Sequence, residues 1–122
     1  MDEMLVVPAE WNAEVRVAYF ADVVLLKLLY QEIGTDCVDK SPDLWTPIGT
    51  MCMWVADDGL LRPKIEHNDR AIALCRAVGY NVPDVGGVAV FTGGADEAGR
   101  TLGLPASIKD AIVNSLMKVG HK

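Results

Sequence analysis

The stretch from Phe20 to Ile33 constrains this chain of 122 residues most. It holds the helix formers Leu25, Leu26, Leu28 and Leu29, and Gly34 stands where a helix ends. Its polar residues, Asp22, Lys27, Gln31 and Glu32, are scattered around the helix and do not gather on one side. A helix so nearly apolar all round is either covered on two sides or keeps a face for a partner. The lipid bilayer is not that partner. The run Val23 to Tyr30 is broken by Lys27 and falls far short of the roughly 20 apolar residues of a membrane span.

Around this helix the sequence changes period repeatedly. Leu5-Val6-Val7, ended by Pro8, and the alternating Ala13 to Tyr19 read as two strands of a hairpin across Glu10-Trp11-Asn12. Asp36 to Pro47 reads as a connecting loop because of Ser41-Pro42-Asp43 and Thr46-Pro47. Thr50 to Ala56 is a strand with Met51, Met53 and Val55 on one face and Cys52 and Trp54 on the other. Asp57-Asp58-Gly59 then turns into Leu60-Leu61-Arg62, a hairpin signal. A second helix runs to Val78, capped by Asn68 or Asp69 and ended by Gly79. Val85 to Thr92 is a further strand, and Ser107 to Val119 an amphipathic helix with Ser107 and Asp110 at capping-box spacing. The order ββ-α-ββ-α-β-α predicts one α+β domain over residues 1–122, with a mainly antiparallel sheet of about five strands and three helices.

Composition narrows the function classes. Half of the residues are hydrophobic (51%) and 23% are charged, which excludes a disordered tail. The net charge of -6 argues against a general nucleic-acid binder, because a phosphate backbone repels it. Cys37, Cys52 and Cys75 are odd in number and hold no CxxC pair, and Met1-Asp2-Glu3-Met4 is acidic where an export signal is basic. A cytoplasmic protein without disulfides is expected.

No candidate catalytic residue, cofactor site or metal site emerges. Gly94 to Thr101 has P-loop spacing with Arg100 in the lysine position, but Asp96 and Glu97 would repel phosphate, and Gly103 and Pro105 block the helix that the site needs. An acidic turn is expected there. Cys52 and Cys75 fall on apolar faces, and nothing activating surrounds Cys37. The cysteines and histidines lack paired zinc spacing, and Asp57-Asp58 runs straight into leucines where a calcium loop needs alternating ligands. Trp54 is expected in the core. Trp11 and Trp45 lie in turn or loop segments, where a tryptophan either covers the edge of a small core or serves as a protein contact.

The segment Val55-Ala56-Asp57-Asp58-Gly59-Leu60-Leu61, with Asn68-Asp69-Arg70-Ala71 after it, resembles the core of the family called domain of unknown function 3846. Val85-Gly86-Gly87-Val88-Ala89-Val90, Asp96-Glu97-Ala98-Gly99, Leu5-Val6-Val7-Pro8 and Val15-Arg16-Val17 are similar to further parts of its pattern. The chain departs from that pattern at Arg62-Pro63-Lys64-Ile65 and at Gly34-Thr35-Asp36-Cys37. The resemblance implies a small accessory protein of phages and mobile elements, working in the cytoplasm of a bacterium, and supplies no reaction.

The leading expectation is a non-enzymatic protein that binds a host or defence-system protein. Trp11, Trp45, Leu25, Leu28 and Leu29 are its candidate contacts, and a homodimer through the Phe20–Ile33 helix is expected. The alternative is a domain that sequesters a small molecule or signalling nucleotide, with Arg62, Lys64 and Arg70 as anion contacts. A third reading is an acidic decoy for a nucleic-acid-binding protein, for which -6 is a weak field. Direct nucleic-acid or membrane contact is not expected.

Overall fold

In β1 (Asp2–Val7) every residue from Met4 to Val7 is buried, so this strand must be covered on both faces. The computed structural model, which describes residues 2–10, 13–34, 38–41, 44–46, 48–56, 67–80 and 85–119, shows how. β2 (Arg16–Phe20), β3 (Val38–Lys40), β4 (Leu44–Thr46), β5 (Gly49–Ala56) and β6 (Ala89–Gly93) join β1 in one six-stranded sheet. Its order is β2-β1-β6-β5-β3, β4 also lies against β5, and every pairing is antiparallel. The helices are α1 (Leu25–Ile33), α2 (Asp69–Ala77) and α3 (Ala106–Val119). The expected α+β class holds, with six strands where about five were expected.

Alternation along the strands sorts the core into two layers. Leu5 and Val7, Met51 and Met53, and Ala89 and Phe91 meet Leu74 and Cys75 of α2 and Ile108 and Ile112 of α3. Met4, Val6, Phe20 and Val90 face the other way, onto Leu25, Leu29 and Ile33 of α1. That α1 stripe has spacing i, i+4, i+8, one line along a helix. Each of these side chains contributes roughly 1.5–3 kcal/mol by leaving water. Gly34 ends α1 at φ 82°, its N–H bonded to the Tyr30 carbonyl at 2.9 Å.

Three sequence expectations need correction. The helix expected from Phe20 starts at Leu25: Phe20 still pairs with Asp2 in the sheet, and Asp22–Val24 form a 3-10 turn between them. The expected loop from Asp36 to Pro47 holds β3 and β4, which together line one side of β5. Lys40 pairs with Trp54 and Leu44 with Met51. Between them Ser41 is tied to β5, donating its N–H to the Met53 carbonyl at 2.8 Å and accepting the Met53 N–H on Oγ at 2.9 Å. Thirdly, Ser107 does not close a capping box but donates its hydroxyl to the Ile48 carbonyl at 2.6 Å, and α3 begins at Ala106. The strand expected at Leu60-Leu61-Arg62 lies outside the described residues.

Asn68 joins the two ends of the architecture. Its side-chain oxygen accepts the Ala71 N–H at 3.0 Å and caps α2. Its amide nitrogen donates to the Val7 carbonyl at 2.9 Å and the Gly87 carbonyl at 2.8 Å, and its own N–H reaches the Val85 carbonyl. The residue is fully buried.

Cys52 and Cys75 are core packing, as expected. Burial pushes the Cys75 thiol up to about 11, so little thiolate forms at neutral pH. A maleimide at pH 8 is expected to leave both thiols unmodified in the native protein and to label them once urea unfolds it. Native labelling of either, read by mass spectrometry of peptides, would contradict this packing. Cys37 lies outside the described residues.

Candidate functional site

The pair Thr46↔Gly49 closes a tight hairpin between β4 and β5, and Trp45 stands one residue before that closure. The hairpin is held from two directions. The Tyr80 hydroxyl donates to the Trp45 carbonyl, and the Ser107 hydroxyl donates to that of Ile48. The backbone is therefore pinned to the end of α2 and the start of α3, while Trp45 as a residue is 73% exposed. Exposing an aromatic forfeits one of the largest apolar burials a side chain offers.

Beside Trp45 lies an open, mostly apolar groove of about 330 Å³, lined also by Thr50, Gly93, Gly94, Leu102 and Pro105. Its floor is backbone. Gly93 donates its N–H to the Leu102 carbonyl at 3.0 Å, and Leu102 donates back to Gly94 at 2.9 Å. A Cβ on Gly93 would run into the Gly103 carbonyl oxygen, so glycine lets the two segments touch. Leu102 and Ile48 are also exposed near the hairpin.

The acidic turn expected beyond the groove is present. Asp96 Oδ1 accepts the N–H groups of Ala98 and Arg100, each at 2.9 Å, and its Oδ2 meets Arg100 Nε at 3.1 Å. Those hydrogen bonds, the backbone bond from Arg100 first, hold the Asp96 carboxyl below its usual range. The amides that a phosphate would need are thus satisfied by the protein's own carboxylate.

The other candidate residues fare differently. Leu25 and Leu29 are buried against the sheet and Leu28 is half-buried on the same layer, so none of them heads an outward face. The apolar residues exposed beside them are Val23, Val24 and Leu26. Arg70, a candidate anion contact, is 7% exposed, and its Nη1 donates to the carbonyls of Glu10 at 2.6 Å and Ala13 at 2.7 Å. It ties the chain before β2 to α2. Trp11, Arg62 and Lys64 lie outside the described residues. Trp54 is half-buried, its indole N–H bonded to Thr92 Oγ1 at 2.9 Å and its ring under Lys40 Nζ, 5.7 Å from the centroid.

Leu102 and the brace Tyr80 were not singled out from the sequence; Ser107 was read there only as a helix cap and Pro105 only as a break in the chain. Among the described residues, no group of three or more His, Cys, Asp or Glu side chains gathers as a metal site, and no helix is long and apolar enough to cross a membrane. No family model, curated protein or solved structure matches this chain.

Proposed function

We propose that this chain is a non-catalytic protein-binding domain that presents Trp45 and the adjoining groove to a host or defence-system protein in a bacterial cytoplasm. The observation that carries the reading is the exposed indole on a hairpin whose backbone is pinned by Tyr80 and Ser107. An aromatic held in place loses little freedom on binding and buries a large area, which is why tryptophan is enriched among interface hot spots. The glycine floor and the side chains of Leu102 and Pro105 supply a recess for an apolar group of the partner. The sequestering alternative has less support: of its anion contacts, Arg70 is engaged with backbone carbonyls.

Affinity capture from a bacterial lysate, run side by side with the native chain and Trp45→Ala, tests the reading. The proposal expects a protein retained by the native chain and lost with the variant while both melt at the same temperature. Equal retention by both, or a small molecule as the sole specific co-eluate, would contradict it.

A further inference from the structure

The groove beside Trp45 follows a short ladder of backbone bonds. Gly93 and Gly94 bond to Leu102, Ala95 bridges Thr101, and Asp96 donates its N–H to the Arg100 carbonyl at 2.9 Å where the turn closes. The ladder is tied down from behind. Leu104 donates its N–H to the Glu3 carbonyl at 2.8 Å, and Thr101 donates its own to Asp22 at 2.7 Å. The wall carrying Leu102 is therefore built without help from a partner.

The charges along this ladder are unequal. Arg100 is spent on Asp96 at 3.1 Å, and Lys109 of α3 on Glu3 at 2.7 Å. Asp2 and Glu97 are exposed and, among the described residues, enter no ion pair. They stand at opposite ends. Asp2 abuts Gly103 of the groove, where an added Cβ would lie 3.0 Å from the Asp2 Cβ and 3.1 Å from its Oδ1. Glu97 sits in the closing turn, about 20 Å along the ladder at a rise of roughly 3.3 Å per residue. The Glu3 hydrogen bond first, with the charges of Glu3 and Asp110 behind it, holds the Lys109 ammonium above its usual range.

We propose that the Trp45 groove takes an extended basic segment of a partner protein, with a bulky apolar side chain against Trp45 and Leu102 and a lysine or arginine on either side reaching Asp2 and Glu97. This rests on the reading of Trp45 as a binding residue and adds the partner's chemistry to it. The mostly apolar groove selects the anchor, and the two carboxylates select its flanks. The same carboxylates disfavour a second copy at this face, because a chain of net charge -6 would set like charges together. Nucleic acid and acidic partners are repelled for the same reason.

Selection of a displayed random-peptide library on the full native chain tests this, with Trp45→Ala and the double variant Asp2→Asn with Glu97→Gln as parallel baits. The native chain is expected to enrich peptides in which a bulky apolar residue is flanked by lysine or arginine, and Trp45→Ala to enrich none of them. For the best such peptide, made synthetically, affinity for the native chain should fall as salt rises. The double variant should bind it about fivefold more weakly at low salt, the difference closing at high salt, at an unchanged melting temperature. Peptides that need Trp45 but carry no basic bias, binding independent of salt, or no loss in the folded double variant would overturn the basic segment and leave Trp45 as the anchor. Equal enrichment by Trp45→Ala would overturn the reading beneath it, and no enrichment by the native chain would overturn both.

Discussion

Asn68→Ala is expected to lower the unfolding free energy by about 3–5 kcal/mol. The helix cap on Ala71 contributes about 1 kcal/mol of that. The remainder comes from the Val7 and Gly87 carbonyls, each losing its amide partner, the first of them in the buried interior, at roughly 1–2 kcal/mol apiece. A domain of this size holds only about 5–15 kcal/mol in total, so the variant should sit close to its unfolding threshold. Asn68→Asp should cost at least as much: its carboxylate can still cap Ala71 but faces two carbonyl oxygens. Asp69→Ala, at an exposed first-turn position, should cost about 0.5 kcal/mol. Urea unfolding with an unchanged m-value measures all three. A loss at Asn68 no larger than at Asp69 would refute its place as the joint between β1, the segment before β6 and α2.

The second large effect is steric. Gly93→Ala sets a methyl group against the Gly103 backbone, which is held by the Gly93–Leu102 hydrogen bond and lies close to Asp2 and Glu3 of β1. Neither segment can yield without disturbing the sheet, and a cost of about 2–3 kcal/mol is expected. For a chain of this length that is roughly 8–12 °C in melting temperature. Gly34→Ala makes the comparison. There the added carbon meets open space and the cost is the left-handed backbone alone, about 1 kcal/mol. If the two substitutions cost the same, close approach at the groove floor is not what requires glycine at Gly93.

Local patterns were legible and long-range ones were not. The alternation in Met51 to Val55 foretold that Met51, Met53 and Val55 join one core layer and Trp54 the other, since strand period sets it. Gly34 marked the end of α1, and Asn68 was one of the two residues named as the α2 cap. The prolines around β3 and β4 misled, because proline signals a loop in isolation while three-residue strands give too short an alternation to outweigh it. That error also placed Trp45 on a loop instead of a strand. In α1 the leucines foretold a helix but not its buried side: Leu25, Leu29 and Ile33 form one line, yet Leu26 and Leu28 offer others of equal apolarity. Arg70 read as a free cation because the carbonyls that hold it, on Glu10 and Ala13, lie far away in sequence. The groove was not legible for the same reason. It exists only because the Leu102 segment folds back along Gly93 and Gly94.

The central claim is that Trp45 is a presented binding side chain and not a stray apolar residue. Titration calorimetry of the captured partner against the native chain and Trp45→Ala tests it most directly. The account predicts a loss of at least about 2 kcal/mol in binding, roughly 30-fold in affinity, with stability changed by no more than about 0.5 kcal/mol. Unchanged affinity for the variant, at equal stability, would contradict it.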